Sequence, residues 1–109
     1  MSDHFKLVQP IGILDSVSAN NLRREIIDLI EHGVEIILLD LQNITSIDSS
    51  GIVALINTLK VVNAAKGELF LCSLSNQVKM IFELSRMERV FQIYRDRQDF
   101  ETRYAIDLK

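Results

Sequence analysis

The chain has 109 residues, of which 48% are hydrophobic and 25% charged, as expected for one globular domain. This composition excludes a disordered chain, and no apolar run approaches the roughly 18 residues that a membrane-spanning helix needs. The net charge of −3 argues against a nucleic-acid-binding protein, because such proteins normally carry a strong positive excess.

The few cysteine and histidine residues exclude several kinds of site. Cys72 is the single cysteine, so it can form neither an internal disulfide nor a cysteine-based metal site, and we expect it to pack in the core. His4 and His32 have no cysteine or carboxylate cluster at metal-ligand spacing nearby, so no metal site is expected. Residues 1–7 contain no signal-peptide apolar stretch, and we therefore expect a cytoplasmic protein.

Two short strands and a helix are predicted at the start of the chain. Residues 5–9 and 11–14 have strand patterns, and the turn formed by Pro10 between them predicts a hairpin. Residues 15–20 are rich in helix-capping side chains and precede apolar residues at helical spacing. Gly33 is expected just beyond the end of this helix.

The middle of the chain predicts a buried strand, a loop and a second helix. Residues 34–41 form an almost continuous apolar run, which is typical of a parallel strand covered on both faces. Residues 43–48 are predicted to be a loop. A largely apolar helix should begin at 49–51 and stop at Gly67.

In the last third of the chain, predicted strands and helices continue to alternate. A strand is predicted at 68–74, a helix capped by Ser75, a short strand at 90–94 and a final helix at 99–108. The whole chain, residues 1–109, is therefore predicted to be one α/β domain. Its mixed, largely parallel sheet should have about five strands with about four helices, while the strand order stays open.

Three junctions between a strand and a helix could hold a functional site, because ligands of parallel sheets bind where strands end. The richest is 45–51, where Asp48, Ser49 and Ser50 can all cap the following helix. Gly51 costs about 1 kcal/mol relative to alanine inside a helix, which indicates a close approach by another surface.

Common catalytic and cofactor motifs are absent from the sequence. The serines have no histidine at an inferred junction to act as a base, and the G-x-S-x-G motif does not occur. Neither a Walker A loop nor a dinucleotide fingerprint occurs. Asp40 and Asp48 flank the exit of the central strand, but the acidic pair of a phosphoacceptor domain is incomplete, with only Asp15 present. We therefore expect no enzyme activity and no cofactor.

The run from Ile47 to Ile52, I-D-S-S-G-I, follows an apolar strand that ends in Asp40-Leu41. This combination resembles the STAS domain of bacterial anti-sigma factor antagonists, and the resemblance extends over nearly the whole chain. It implies a partner-switching role in transcription regulation and stress response. In that role the unphosphorylated antagonist binds an anti-sigma factor that is also a serine kinase, and sigma factor is released.

The resemblance also implies roles for particular residues. The kinase would phosphorylate Ser49, and a PP2C-type phosphatase would restore the active form. Asp15 would border the nucleotide site of the kinase, Asp48 would orient the loop, and Ser50 and Gly51 would complete the helix start. These four residues and Ile52 are expected to form the partner-binding surface. Three apolar residues follow that start, and they are expected to be mainly core with one at the partner contact: Ile52, Val53 and Leu55.

One departure from the family pattern and two alternative functions stay open. Arg86 stands where the family commonly has glycine or another small residue, which affects the identity of the partner more than the switch. The first alternative is a non-switching STAS adaptor of a stressosome or lipid-transport complex, in which Ser49 is only a helix cap. The second is a small α/β domain that binds a ligand in the same cleft.

Overall fold

The computed structural model describes residues 4–107, with side chains described for residues 4–104. Within this range strands and helices alternate along the chain. The strands are β1 (Phe5–Val8), β2 (Gly12–Leu14), β3 (Ile36–Asp40), β4 (Ile44–Ile47), β5 (Glu68–Cys72) and β6 (Gln92–Tyr94). The helices are α1 (Ser16–Glu31), α2 (Ser49–Ala64), α3 (Asn76–Leu84) and α4 (Arg97–Asp107), with a 3₁₀ turn at Met87–Arg89.

The strands form two parallel sheets. Four of them lie in the order β1-β3-β5-β6, and β2 pairs with β4 in a small second sheet. The α/β class and the largely parallel sheet are therefore confirmed. The predicted hairpin is wrong: β1 pairs in parallel with β3, and β2 pairs in parallel with β4. Pro10 therefore lies where the chain passes from the larger sheet, which contains β1, to the smaller sheet, which contains β2.

The predicted loop at 43–48 contains strand β4. Its first and last residues, Ile44 and Ile47, are buried in the core, while Thr45 between them is exposed. The residue pairing of Leu14 with Ile47 aligns the ends of β2 and β4. This strand escaped the sequence pattern because its four residues include Thr45 and Ser46, which are also common in loops.

Two cores lie on opposite faces of the larger sheet. Ile37 and Leu39 of β3 face the main core, which α1, α2 and α3 cover. Leu38, between them, faces a second cluster with Phe70 and with Phe100 of α4. Alternation along a strand sends neighbouring side chains to opposite faces, which explains the continuous apolar run in β3.

The helix ends agree with the sequence in part. Gly33 follows α1 with a φ of +98°, as predicted. After α2, however, Lys66 takes the left-handed conformation (φ 65°), so the predicted stop at Gly67 is one residue late. Gly67 is needed for another reason, since a Cβ there would lie 3.0 Å from the Glu35 carbonyl oxygen. For α4, the predicted Leu108 lies outside the described residues.

Candidate functional site

The ends of β2 and β4 bring two helix starts together. Leu14 and Ile47 are paired residues, and each is followed directly by an aspartate that caps a helix: Asp15 for α1 and Asp48 for α2. Both caps have extended backbone of nearly the same shape, with φ of −109° and −105°. We call residues 15–17 and 48–50 the paired helix starts.

Asp48 organises the start of α2. Its Oδ1 accepts a hydrogen bond from the Gly51 amide at 2.9 Å and one from the Ser50 hydroxyl at 2.7 Å. These bonds favour the ionised carboxylate, so the pKa of Asp48 is lowered, with the Ser50 hydroxyl as the largest cause. The carboxylate is therefore an anion at neutral pH, held at the exposed end of the helix.

Asp15 plays the same part for α1 through a reciprocal capping box. Its Oδ1 accepts from the Ser18 amide at 3.0 Å, and the Ser18 hydroxyl oxygen accepts from the Asp15 amide at 3.0 Å. The pKa of Asp15 is lowered chiefly by the hydrogen bond from the Ser18 amide, while desolvation and, to a smaller extent, the negative charge of Asp48 oppose that change. Both caps are exposed, so the paired helix starts present two carboxylates to solvent.

At Gly51 the start of α2 approaches β2 closely. A Cβ built at this position would lie 2.2 Å from the Leu14 carbonyl oxygen and 2.9 Å from Cγ1 of Ile47. The same carbonyl oxygen accepts a hydrogen bond from the Asp48 amide at 3.2 Å. The close approach expected from the sequence is therefore present, and it joins the start of α2 to the end of β2.

The two serines of α2's first turn differ in their contacts. The Ser50 hydroxyl is engaged by Asp48, whereas the Ser49 hydroxyl makes no hydrogen bond with any described residue. Ser49 is exposed and occupies the first helical position after the cap. Ser16 holds the equivalent exposed position at the start of α1.

The other predicted contact residues separate by burial. Asp15, Asp48 and Ser50 are exposed, while Gly51 is buried and Ile52 is half-buried against the main core. The structure therefore assigns Gly51 and Ile52 mainly to packing, and it leaves the three polar residues accessible.

Exposed apolar side chains lie at and next to the paired helix starts, and the sequence analysis singled out only one of them, Val53. Val17 is 68% exposed and Ile13 is 55% exposed, both next to the Asp15 cap. Val53, one helical turn after Ser49, is also 55% exposed, whereas Leu55 is buried. Of the three apolar residues that follow the α2 start, Val53 is thus the one that faces outwards. The helical spacing could have predicted this exposure, since Ser49 and Val53 are four residues apart and therefore share a helix face.

The remaining chemically interesting groups lie elsewhere. Asp40 is buried and occupied, accepting bonds from Gln9 (2.9 Å) and the Gln42 amide (3.0 Å), with Arg97 at 3.5 Å. Burial raises the pKa of the Cys72 thiol to about 11.

Among the described side chains there is no group of three or more His, Cys, Asp and Glu that could hold a metal ion. In the described range, no helix combines the length and apolar character needed to cross a membrane.

The fold and this surface define a small α/β domain that presents a free serine beside an anionic helix cap. The chain belongs to the STAS domain family, which matches residues 2–100. It is 29% identical over 87 residues to BtrV of Bordetella bronchiseptica, named as a candidate anti-sigma factor antagonist, covering 80% of this chain and 75% of BtrV. It is 25% identical over 91 residues to the anti-sigma-B factor antagonist of Staphylococcus aureus, covering 84% of each.

Solved structures share the fold. TM1081 from Thermotoga maritima superposes with a TM-score of 0.83 at 23% identity, covering 94% of this chain and 89% of TM1081. The antagonist SpoIIAA in its unphosphorylated form gives 0.76 at 18% identity, covering 95% and 91%. The phosphorylated form of SpoIIAA from Bacillus gives 0.67 at 18% identity, covering 93% and 92%.

Proposed function

We propose that this chain is an anti-sigma factor antagonist whose binding to an anti-sigma factor kinase is switched off by phosphorylation of Ser49. In this proposal the unphosphorylated chain binds the kinase in the cytoplasm and sigma factor is released. A PP2C-type phosphatase hydrolyses the phosphoserine and restores binding. The chain is a substrate in this cycle and catalyses no reaction itself.

The observation that supports Ser49 is its free hydroxyl. Ser50 is adjacent and exposed, but its hydroxyl donates to Asp48 and helps to hold the cap. Phosphorylation of Ser50 would remove that donor, whereas Ser49 makes no bond with a described residue that would have to break. In the transfer, Ser49 Oγ forms a bond to the γ-phosphorus of ATP, the bond from that phosphorus to the bridging oxygen breaks, and ADP leaves. The hydroxyl proton passes to a base of the kinase.

The fold is expected to tolerate the phosphate. The first amides of a helix have no partner within the helix, and the helix dipole favours negative charge at this end. The phosphate adds about −1.5 to −2 charges, however, beside the anionic Asp48. The local field therefore becomes much more negative while the helix itself stays intact.

The surface around Ser49 fits a protein partner that offers an apolar patch next to a cation. Val17 and Val53 supply exposed apolar area, and Asp15 and Asp48 supply negative charge at the paired helix starts. A phosphate introduced between these elements would separate the apolar surfaces and would have to lose its hydration in the contact. A 100-fold loss of affinity corresponds to only about 2.7 kcal/mol, which one phosphate can supply.

Phosphorylation is tested by incubating the chain with MgATP and lysate of its native host, followed by intact-mass measurement and phosphosite mapping. We expect one phosphate, located on Ser49 and absent from Ser49→Ala. Ser50→Ala and Ser16→Ala are the matched controls, because Ser16 has the same exposed position at the start of α1. Both controls should still be phosphorylated.

Binding is tested by capture of an ATP-binding partner from the same lysate. Ser49→Ala should retain the partner in the presence of ATP, and Ser49→Asp should bind at least 100-fold more weakly while keeping its thermal midpoint. Val53→Ser, which removes apolar area and adds no charge, should weaken binding without affecting the fold.

Two outcomes would contradict the switch. One is a phosphate placed on a residue other than Ser49. The other is an unmodified chain under conditions in which a control antagonist is phosphorylated, together with a stable complex that is indifferent to ATP. The second result would favour the adaptor function, in which Ser49 only begins the helix.

A further inference from the structure

A second surface of the molecule has the form of a binding groove. It lies between α3, the 3₁₀ turn and β6, and its cavity of about 380 Å³ falls within the usual range for ligand clefts. Leu74, Phe82, Ile93 and Tyr94 supply its apolar lining. No residue of α1, α2 or the paired helix starts contributes to it, so it is separate from the region around Ser49.

One side of the groove is a strand edge. β6 pairs with β5 and is the last strand of its sheet among the described residues. The Tyr94 carbonyl points towards β5, where it accepts a hydrogen bond from the Ser73 amide. Because successive residues of a strand direct their backbone groups to opposite sides, Ile93 directs its N–H and C=O outwards. An exposed edge of this kind is a template for an added strand.

Charge is divided between the two ends of the groove. Because α3 connects the parallel strands β5 and β6, it runs antiparallel to them, and its start lies near the C-terminal end of β6. Lys79 and Arg95 therefore line one end, and Glu83 and Glu88 line the other. Arg95 approaches Asp96 at 3.5 Å, but the other three have no ion-pair partner among the described residues.

We propose that this groove binds an extended segment of a partner protein, which adds to the edge of β6. An acidic residue of the segment lies at the Lys79 and Arg95 end, and a basic residue lies at the Glu83 and Glu88 end. Between them an apolar side chain lies on the partly exposed Ile93. The three residues of β6 span about 10 Å at roughly 3.3 Å per residue. Alternate side chains of a five-residue peptide can therefore reach all three positions.

The probes are four acetylated, amidated pentapeptides with serine at positions 2 and 4 and leucine at position 3. Two have opposite end charges in the two possible orders, Lys…Glu and Glu…Lys, and two have like ends, Lys…Lys and Glu…Glu. Binding to the ¹⁵N-labelled full chain is followed by NMR. We expect one of the two opposite-charge peptides to shift the Ile93 amide and those of α3. It should bind at least tenfold more tightly than its reverse and than either like-charge peptide.

The double variant Lys79→Glu with Glu83→Lys should abolish the preference for one peptide order by neutralising each end of the groove. Both positions are exposed, so its thermal midpoint should match the parent, and Arg95→Gln provides a second, milder variant that should lower affinity. Lys60→Glu on the exposed face of α2 is the matched control and should change nothing. Three results would overturn the proposal. They are no shift of the Ile93 amide signal at peptide concentrations up to about 10 mM, equal binding of all four peptides, and shifts confined to the paired helix starts.

Discussion

The substitution Gly51→Ala tests the close approach of α2 to β2. The added Cβ would lie 2.2 Å from the Leu14 carbonyl oxygen, and such contacts are essentially never shorter than 3.0 Å. The start of α2 must therefore move away from β2 by at least 0.8 Å, the difference between these distances. That movement also lengthens the hydrogen bond from the Asp48 amide to the same carbonyl oxygen, which is 3.2 Å long.

The expected size of the effect follows from three contributions. Overpacking costs about 1–3 kcal/mol, and loss of the hydrogen bond from the Asp48 amide to Leu14 costs about 0.5–1.5 kcal/mol. Alanine recovers about 1 kcal/mol because it is a better helix former than glycine. The free energy of unfolding should thus fall by about 2 kcal/mol, which corresponds to a decrease of roughly 10 °C in thermal midpoint for a domain of this size.

The assay is urea and thermal unfolding of the Gly51→Ala chain, followed by far-ultraviolet circular dichroism. Ser49→Ala is the matched control, because it places alanine two residues earlier on the exposed side of the same helix. It should stay within about 0.5 kcal/mol of the parent. If Gly51→Ala is as stable as Ser49→Ala, the close approach of α2 to β2 is not what requires glycine at this position.

Three further predictions concern backbone strain, the thiol and pH. Arg86 has a φ of 63°, so Arg86→Gly should raise the free energy of unfolding by about 0.5–1 kcal/mol, whereas Arg86→Ala should not; urea unfolding distinguishes them. Cys72 is buried with its pKa raised to about 11, so a thiol reagent at neutral pH should label it only at the rate of unfolding, and labelling as fast as that of an unfolded control would contradict this. Hydrogen bonds lower the pKa values of Asp15 and Asp48, so their contribution to stability is present above the unfolded aspartate pKa of about 3.9 and is lost as pH falls below it. The stability of the Asp15→Asn, Asp48→Asn double variant should therefore fall less between about pH 5 and pH 3 than that of the parent.

The position of Arg86 connects the sequence pattern to the backbone. The resemblance to the family led us to expect glycine or another small residue here, and the structure gives Arg86 a left-handed conformation that favours glycine. The departure noticed in the sequence therefore has a conformational consequence after α3. Arg86 lies outside the paired helix starts.

Local patterns in the sequence located most helices and strands. The continuous apolar run around β3 predicted a strand covered on both faces, and that strand sends side chains into two cores. The capping residues at Asp15, Asp48 and Ser75 predicted the starts of three helices. These predictions succeeded because a cap or a periodic run is set by residues only a few positions apart.

Strand pairing was beyond such patterns. The turn formed by Pro10 predicted a hairpin, but the first two strands pair with segments about thirty positions further along. Strand β4 was also missed, because a strand of four residues with alternating polar positions resembles a loop until its partner is known. Which strands pair depends on how segments far apart in the chain pack together. A short stretch of sequence contains no information about such distant partners.

The sequence by itself determined the α/β class, the start of α2 and the serine pair within it. The tertiary structure decided which serine hydroxyl is free, that Val53 faces outwards while Leu55 is core, and that Leu14 is the surface close to Gly51. Helix starts depend on bonds between near neighbours, which the sequence contains directly. Exposure and close contact depend on how distant segments share a limited interior, and only the folded chain fixes that arrangement.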